Sequence, residues 1–140
     1  MKNSLSVIIN VYKIAEDTIL DDVGIDIYHT AIEYDNTEFA FGYLEEEGSC
    51  GVYDIKPMSY DEGTYVESIQ VGYATRRQFF NKLENIKRNY LGNSYNIITK
   101  NCNHFTNDMI MALFNIELPK KYSSFLKFGE FLRKLISPFF

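Results

Sequence analysis

An α+β fold is what the order of patterns along this chain predicts, with strand-like segments filling the first half and helix-like segments the second. Three observations carry that expectation. Short stretches rich in β-branched and aromatic residues recur up to about residue 72, separated by polar turns. Thr75-Arg76-Arg77-Gln78 then has the form of a capping box, followed by Phe79, Leu83, Ile86 and Tyr90 at helical spacing. The chain also has 140 residues, 46% of them hydrophobic and with 11 Tyr and 11 Phe, which suffices for one compact domain over residues 1–140.

Residues 6–12 read as the first strand, and residues 25–34 as the second after a polar, acidic connection. Asp35-Asn36 is a turn signal leading into residues 37–43, which makes a hairpin. Glu45-Glu46-Glu47-Gly48-Ser49 reads as a solvated loop. A strand over 50–56 follows, stopped by Pro57, and another falls near 65–72. The helix opened by Thr75 is expected to stop at Gly92. A second helix is expected over 101–114, with Phe105, Met109, Ala112 and Leu113 as its inward stripe. A third is expected over 124–136, ending before Pro138, with Phe125, Phe128, Leu132 and Leu135 facing inward. The apolar tail Leu135 to Phe140 reads most simply as packing against the sheet.

A formal net charge of −5 and scattered Lys and Arg argue against nucleic acid as a partner, since phosphate contacts need a basic face. No apolar run has the length of a transmembrane segment. Cys50 and Cys102 are the two cysteines and could form one disulfide. No secretory signal pattern opens the chain, so reduced thiols and a cytoplasmic or nuclear setting are the expectation. No pattern calls for a cofactor. A zinc site built from Cys50, Cys102, His29 and His104 is disfavoured because no closely spaced ligand pair seeds it.

The tetrapeptide Asn101-Cys102-Asn103-His104 places a thiol in the first turn of the second helix, with Asn101 as N-cap. Unpaired backbone N–H groups and the positive end of the helix dipole favour the thiolate there, and the thiolate is the nucleophile. The plain alternative is a buried structural thiol. His104 lies two residues further on, so its side chain leaves the helix on nearly the opposite side and is a poor base for Cys102. His29 sits on the strand-like segment 25–34, alternating with Ile27 and Ala31 on one face. It is either a satisfied core histidine or a base brought to Cys102 by the fold.

These residues resemble the PPPDE family, the permuted papain-fold peptidases that include the DeSI proteins. Val7 to Tyr12 resembles the family's first strand, Gly24 to Glu33 its histidine strand, and Glu38 to Gly42 the strand after it. Gly92 to Asn96 and Lys100 to Phe105 are similar to its cysteine region, and Ile116 to Pro119 to the segment closing the catalytic helix. The resemblance implies a circularly permuted papain-like fold, with an antiparallel sheet packed against helices. It also implies a Cys–His dyad, which falls on Cys102 and His29, the histidine coming first in the chain. Where some relatives carry Trp before the histidine, this chain has Tyr28. The implied activity is isopeptidase cleavage of ubiquitin or a ubiquitin-like modifier such as SUMO from lysine. The alternatives are thioesterase action on S-palmitoyl groups with the same dyad, or a non-catalytic module that binds modifier tails. Relatives pair to build the substrate groove, so a homodimer is compatible with the resemblance.

Overall fold

The computed structural model describes residues 3–14, 26–96 and 99–123. Five strands form one sheet: β1 (Ser4–Ile14), β2 (Tyr28–Tyr34), β3 (Thr37–Phe41), β4 (Val52–Ile55) and β5 (Gly63–Thr75). Among the described residues two helices follow, α1 (Arg76–Lys87) and α2 (Cys102–Phe114), with a short 3₁₀ turn at Gly92–Ser94 between them. The spatial order is β4-β3-β2-β1-β5 and every neighbouring pair is antiparallel. This is the α+β arrangement that the order of patterns predicts.

Alternation of side chains divides the sheet into two faces. One face carries Val7, Ile9 and Val11 of β1 opposite Tyr34, Ile32 and Thr30 of β2. The helices close over it, and Phe79, Leu83, Phe105, Met109 and Ile110 complete a core with Phe41 and Ala74. Tyr34 stacks on Phe79 with centroids 4.3 Å apart. The other face carries Asn10, Tyr12, His29 and Glu38, all buried, so β2 is covered on both sides.

The hairpin forms as its turn residues require. Asp35 and Asn36 take φ of 51° and 62°, the left-handed pair of a two-residue turn, and Tyr34 faces Thr37 across it. The predicted strands shift at their ends. β2 begins at Tyr28, with the Ile27 carbonyl still accepting from the Ile14 N–H at 2.9 Å beside its start; Ile25 lies outside the described residues. β3 ends at Phe41, and Cys50 makes only an isolated bridge with Leu91. β5 runs to 13 residues because the 11-residue β1 templates it along its length, glycines included. Gly72 lies under the Phe114 ring, where an added Cβ would sit 2.7 Å from Cε1.

The capping box at α1 is present in both directions: Gln78 N–H donates to Thr75 Oγ1 at 3.1 Å and Thr75 N–H to Gln78 Oε1 at 2.8 Å. The expected stop at Gly92 is corrected. The helix ends at Lys87 with Arg88 as C-cap, and Asn89 and Tyr90 continue as a hydrogen-bonded turn. Gly92 instead permits a close approach, since a Cβ there would sit 2.3 Å from Leu44 Cβ. The inward stripe of α2 is also corrected. Ala112 is exposed, and the buried positions are Cys102, Asn103, Phe105, Thr106, Met109 and Ile110. α2 closes on Asn115 at φ 55°, whose N–H returns to Met111 O. The expected helix over 124–136 and the apolar tail lie outside the described residues. Among the described residues, no helix is long and apolar enough to cross a membrane.

Candidate active site

The N-terminus of α2 is built by its own sequence. Asn101 Oδ1 accepts from the N–H of Asn103 at 2.9 Å and of His104 at 3.3 Å, and Asn101 N–H donates to His104 Nδ1 at 3.0 Å. His104 therefore serves as the reciprocal half of a capping box, the place usually taken by Glu or Gln. Cys102 is the first residue inside this cap.

Asn103 and Thr106 moor the helix to β2 on both sides of His29. Asn103 Nδ2 donates to the carbonyl of Tyr28 at 2.9 Å, and Thr30 Oγ1 donates to Asn103 Oδ1 at 2.7 Å. Thr106 Oγ1 donates to the Thr30 carbonyl at 3.2 Å. Ladder pairing of β2 with β3 is confined to Ile32, Glu33 and Tyr34, which leaves the earlier part of that strand edge open to the helix. The Thr30 N–H is thus near enough to the Cys102 sulfur to favour its ionised form, and the thiol itself donates to Asn103 Oδ1 at 3.9 Å. Segments 73 residues apart in sequence meet in this way, around polar side chains shielded from water.

His29 lines a cleft of about 690 Å³, together with Tyr53, Tyr60, Tyr95, Gly42 and Gly51. Tyr60 stacks flat on the imidazole, centroids 4.0 Å apart and planes 11° from parallel, and Tyr12 packs behind at 5.7 Å. Cys102 lies beneath this wall, within electrostatic reach of the cleft residues Tyr95, Tyr53 and Tyr60. The ionisation of Tyr95, Tyr53 and Tyr60 is pushed up, chiefly by burial and further by the negative charge a Cys102 thiolate places beside them. His29 and Cys102 thus border the same cluster of rings. Tyr28 points elsewhere, packing edge-on against Tyr122 at 4.9 Å on the helix side.

The electrostatics correct one expectation from the sequence. Burial pushes the Cys102 thiol up to about 11, against the backbone N–H of Thr30, the Tyr95 hydroxyl and the helix N-terminus, which all pull it down. Desolvation in this setting outweighs the dipole. Burial likewise lowers His29 to about 4. At neutral pH the resting groups are a neutral thiol and a neutral imidazole. His29 is 4% exposed, and its Nε2 is buried with no hydrogen-bond partner among the described residues.

Cys50 is a free, exposed thiol at the cleft rim, and Cys102 is free and buried, so the two are not bridged. Among the described residues, no three His, Cys, Asp or Glu side chains converge as a metal-binding group. Sequence reasoning missed Asn103, Thr30 and Thr106 as moorings, and Tyr53, Tyr60 and Tyr95 as the cleft wall. The available signal was two uncharged polar residues, Asn103 and Thr106, on the face of α2 that also carries Cys102.

Comparison with known proteins agrees with this architecture. A family model described as "PPPDE putative peptidase domain" matches residues 5–137. A DeSI-like protein of Arabidopsis thaliana is 31% identical over 133 residues, covering 93% of this chain and 59% of the relative. The DeSI-like protein sdu1 of Schizosaccharomyces pombe is 30% identical over 132 residues, covering 89% of this chain and 66% of the relative. A desumoylating isopeptidase 1 homolog of Caenorhabditis elegans is 28% identical over 104 residues, covering 70% of this chain and 31% of the relative. The chain therefore spans less than two thirds of the length of each of these three. With its strand order, its histidine strand preceding its cysteine helix, and a family match over most of its length, this chain belongs to the PPPDE peptidase family.

Proposed function

We propose that the chain is a cysteine isopeptidase that cleaves the amide between the C-terminal glycine of ubiquitin, or a ubiquitin-like modifier such as SUMO, and a lysine. Cys102 is the nucleophile and His29 the base. One observation carries the reading: His29, whose Nε2 is buried with no hydrogen-bond partner among the described residues, lines the cleft whose wall residue Tyr95 lies within electrostatic reach of Cys102. A buried nitrogen left unpaired is costly in a structural role, and a transferable proton gives it a use. The name of the Caenorhabditis elegans relative supports the substrate class.

Because both groups rest neutral, proton transfer accompanies attack instead of preceding it. The Cys102 sulfur bonds to the carbonyl carbon as its proton passes to His29 Nε2. The resulting oxyanion lies near the α2 N-terminus, where the Cys102 backbone N–H is positioned to hold it. The imidazolium then protonates the lysine nitrogen, the C–N bond breaks, and a thioester remains on Cys102. Neutral His29 deprotonates a water, which releases the modifier as a carboxylate and restores the thiol. A cleft walled by tyrosine rings suits glycine, which brings no Cβ to the walls.

Ubiquitin and SUMO probes ending in an electrophile test the reading. The expected result is covalent labelling at Cys102, located by peptide mass. Cys102→Ala and His29→Ala should each lower amide turnover by at least about 10³-fold with the fold retained, and His104→Ala only a few-fold. Equal loss with His104→Ala and none with His29→Ala overturns the assignment. Preference for a fatty-acyl thioester over both amide probes replaces it with S-acyl thioesterase action. Binding of a modifier tail without turnover of any probe replaces it with a binding module.

A further inference from the structure

The least expected group behind the cleft is the Glu38 carboxylate, which is fully buried. Its hydrogen-bond partners are Asn10 Nδ2 at 2.7 Å, the Tyr12 hydroxyl at 2.8 and 3.0 Å, and the Met58 N–H at 3.2 Å. No Lys or Arg is among these partners. Burying a carboxylate is costly even with several donors, and apolar residues would fill a core as well. Its position therefore asks for a use beyond packing.

The use lies in what the donors hold. Met58 belongs to the connection over residues 56–62 and sits at φ 60°, a left-handed conformation that costs energy in a residue with a side chain. With its side chain exposed, its N–H is directed at Glu38. Two residues on, the Tyr60 ring packs against the ring of Tyr12 with centroids 5.1 Å apart, and the Tyr12 hydroxyl donates to Glu38. Glu38 and Tyr12 thus grip the connection at two successive points, and the Tyr60 ring at the second lies flat on His29.

We propose that Glu38 and Tyr12 form a latch holding residues 56–62 so that Tyr60 clamps the His29 ring toward the Cys102 end of the cleft. Both are positioning residues, acting on His29 through Tyr60. The proposal rests on the reading of His29 as the base. A ring covered on one face by Tyr60 and backed by Tyr12 has little freedom to rotate, so Nε2 keeps one direction without a carboxylate on the imidazole. The groups facing His29 are Tyr12 from β1 and Tyr60 from the connection. Tyr53 and Tyr95 share its cleft, with Asp61 and Glu62 at the mouth.

Two readouts test the latch in Tyr12→Phe, Glu38→Gln, Tyr60→Phe and Tyr60→Ala proteins. One is the NMR titration of His29, with its signals identified by their loss in His29→Ala. The other is kcat and KM on whichever of the ubiquitin or SUMO amide probes is turned over. Tyr60→Phe keeps the stacked ring, so its His29 titration should stay with the parent and its loss of kcat should be well below that of Tyr60→Ala. Tyr60→Ala exposes the imidazole, so its midpoint should rise from about 4 toward 6.5 while kcat falls roughly tenfold or more and KM changes about twofold. Tyr12→Phe should move both readouts in the same directions, and Glu38→Gln, which keeps one acceptor, by less. If Tyr12→Phe fails to fold, the half-buried Tyr60 pair decides alone. Unchanged titration and kcat in Tyr60→Ala overturn the latch, as does a Tyr12→Phe and Glu38→Gln pair that both match the parent. Should His29→Ala prove fully active, the dyad fails, while the titration still judges whether Tyr60 clamps the ring.

Discussion

Helices α1 and α2 open with the same device and different surroundings. Each begins with a reciprocal capping box, Thr75 with Gln78 in one and Asn101 with His104 in the other. The first residue inside the α1 cap is Arg76, exposed to solvent and paired with Asp35. The first inside the α2 cap is Cys102, 7% exposed, its thiol donating to Asn103 Oδ1. Identical backbone chemistry at the two helix starts thus gives a solvated surface in one case and a buried, protonated thiol in the other. A helix N-terminus does not by itself make a thiolate; the water around it decides whether its dipole prevails.

The largest effect expected on this contrast comes from cutting the moorings that α2 has and α1 lacks. Asn103→Ala leaves the Tyr28 carbonyl and Thr30 hydroxyl without their partner, at a cost of roughly 2–4 kcal/mol. Urea unfolding measures that loss, and amide turnover should fall along with it. Next is pH. His29 is lowered from 6.5 to about 4, so between these values the unfolded chain takes up a proton that the native state refuses. Stability should be complete above pH 6.5 and decline as pH drops toward 4, by up to roughly 3 kcal/mol, and His29→Ala should flatten that slope. Cys102 works in the opposite sense. Its rise from 9.0 to about 11 means stability falls as pH climbs through that window, and Cys102→Ala should remove this alkaline slope.

Smaller effects separate the two caps. Thr75→Ala and Asn101→Ala should each cost about 1 kcal/mol in urea unfolding, but only Asn101→Ala should also slow turnover. His104→Gln should be the mildest change, within about 0.5 kcal/mol of the parent, because Gln is a standard partner in a capping box.

The contrast also marks what was legible in the sequence. Local signals were read well: both caps, the Asp35-Asn36 turn and the α+β order rest on neighbours within a few residues. Cys102 and His29 stood out because their residue types carry chemistry. The moorings did not, since Asn103 gains its meaning from Tyr28 and Thr30, far upstream in the chain. Glu38 read as an ordinary strand residue because nothing nearby shows that its face is covered. Ala112 was assigned inward by spacing alone, whereas the polar Asn103 and Thr106 take core positions that an apolar stripe would not nominate. The favoured thiolate failed for a related reason: burial is a property of the assembled fold.

The exposed Cys50 has a practical consequence for chemistry on this protein. Its sulfur stands at the entrance while Cys102 is sealed beneath tyrosines. Small alkylating reagents will consume the outer thiol first, so bulk sulfhydryl counts report on a bystander. Replacing that outer cysteine turns any remaining adduct into a direct report on whether the inner one can be reached.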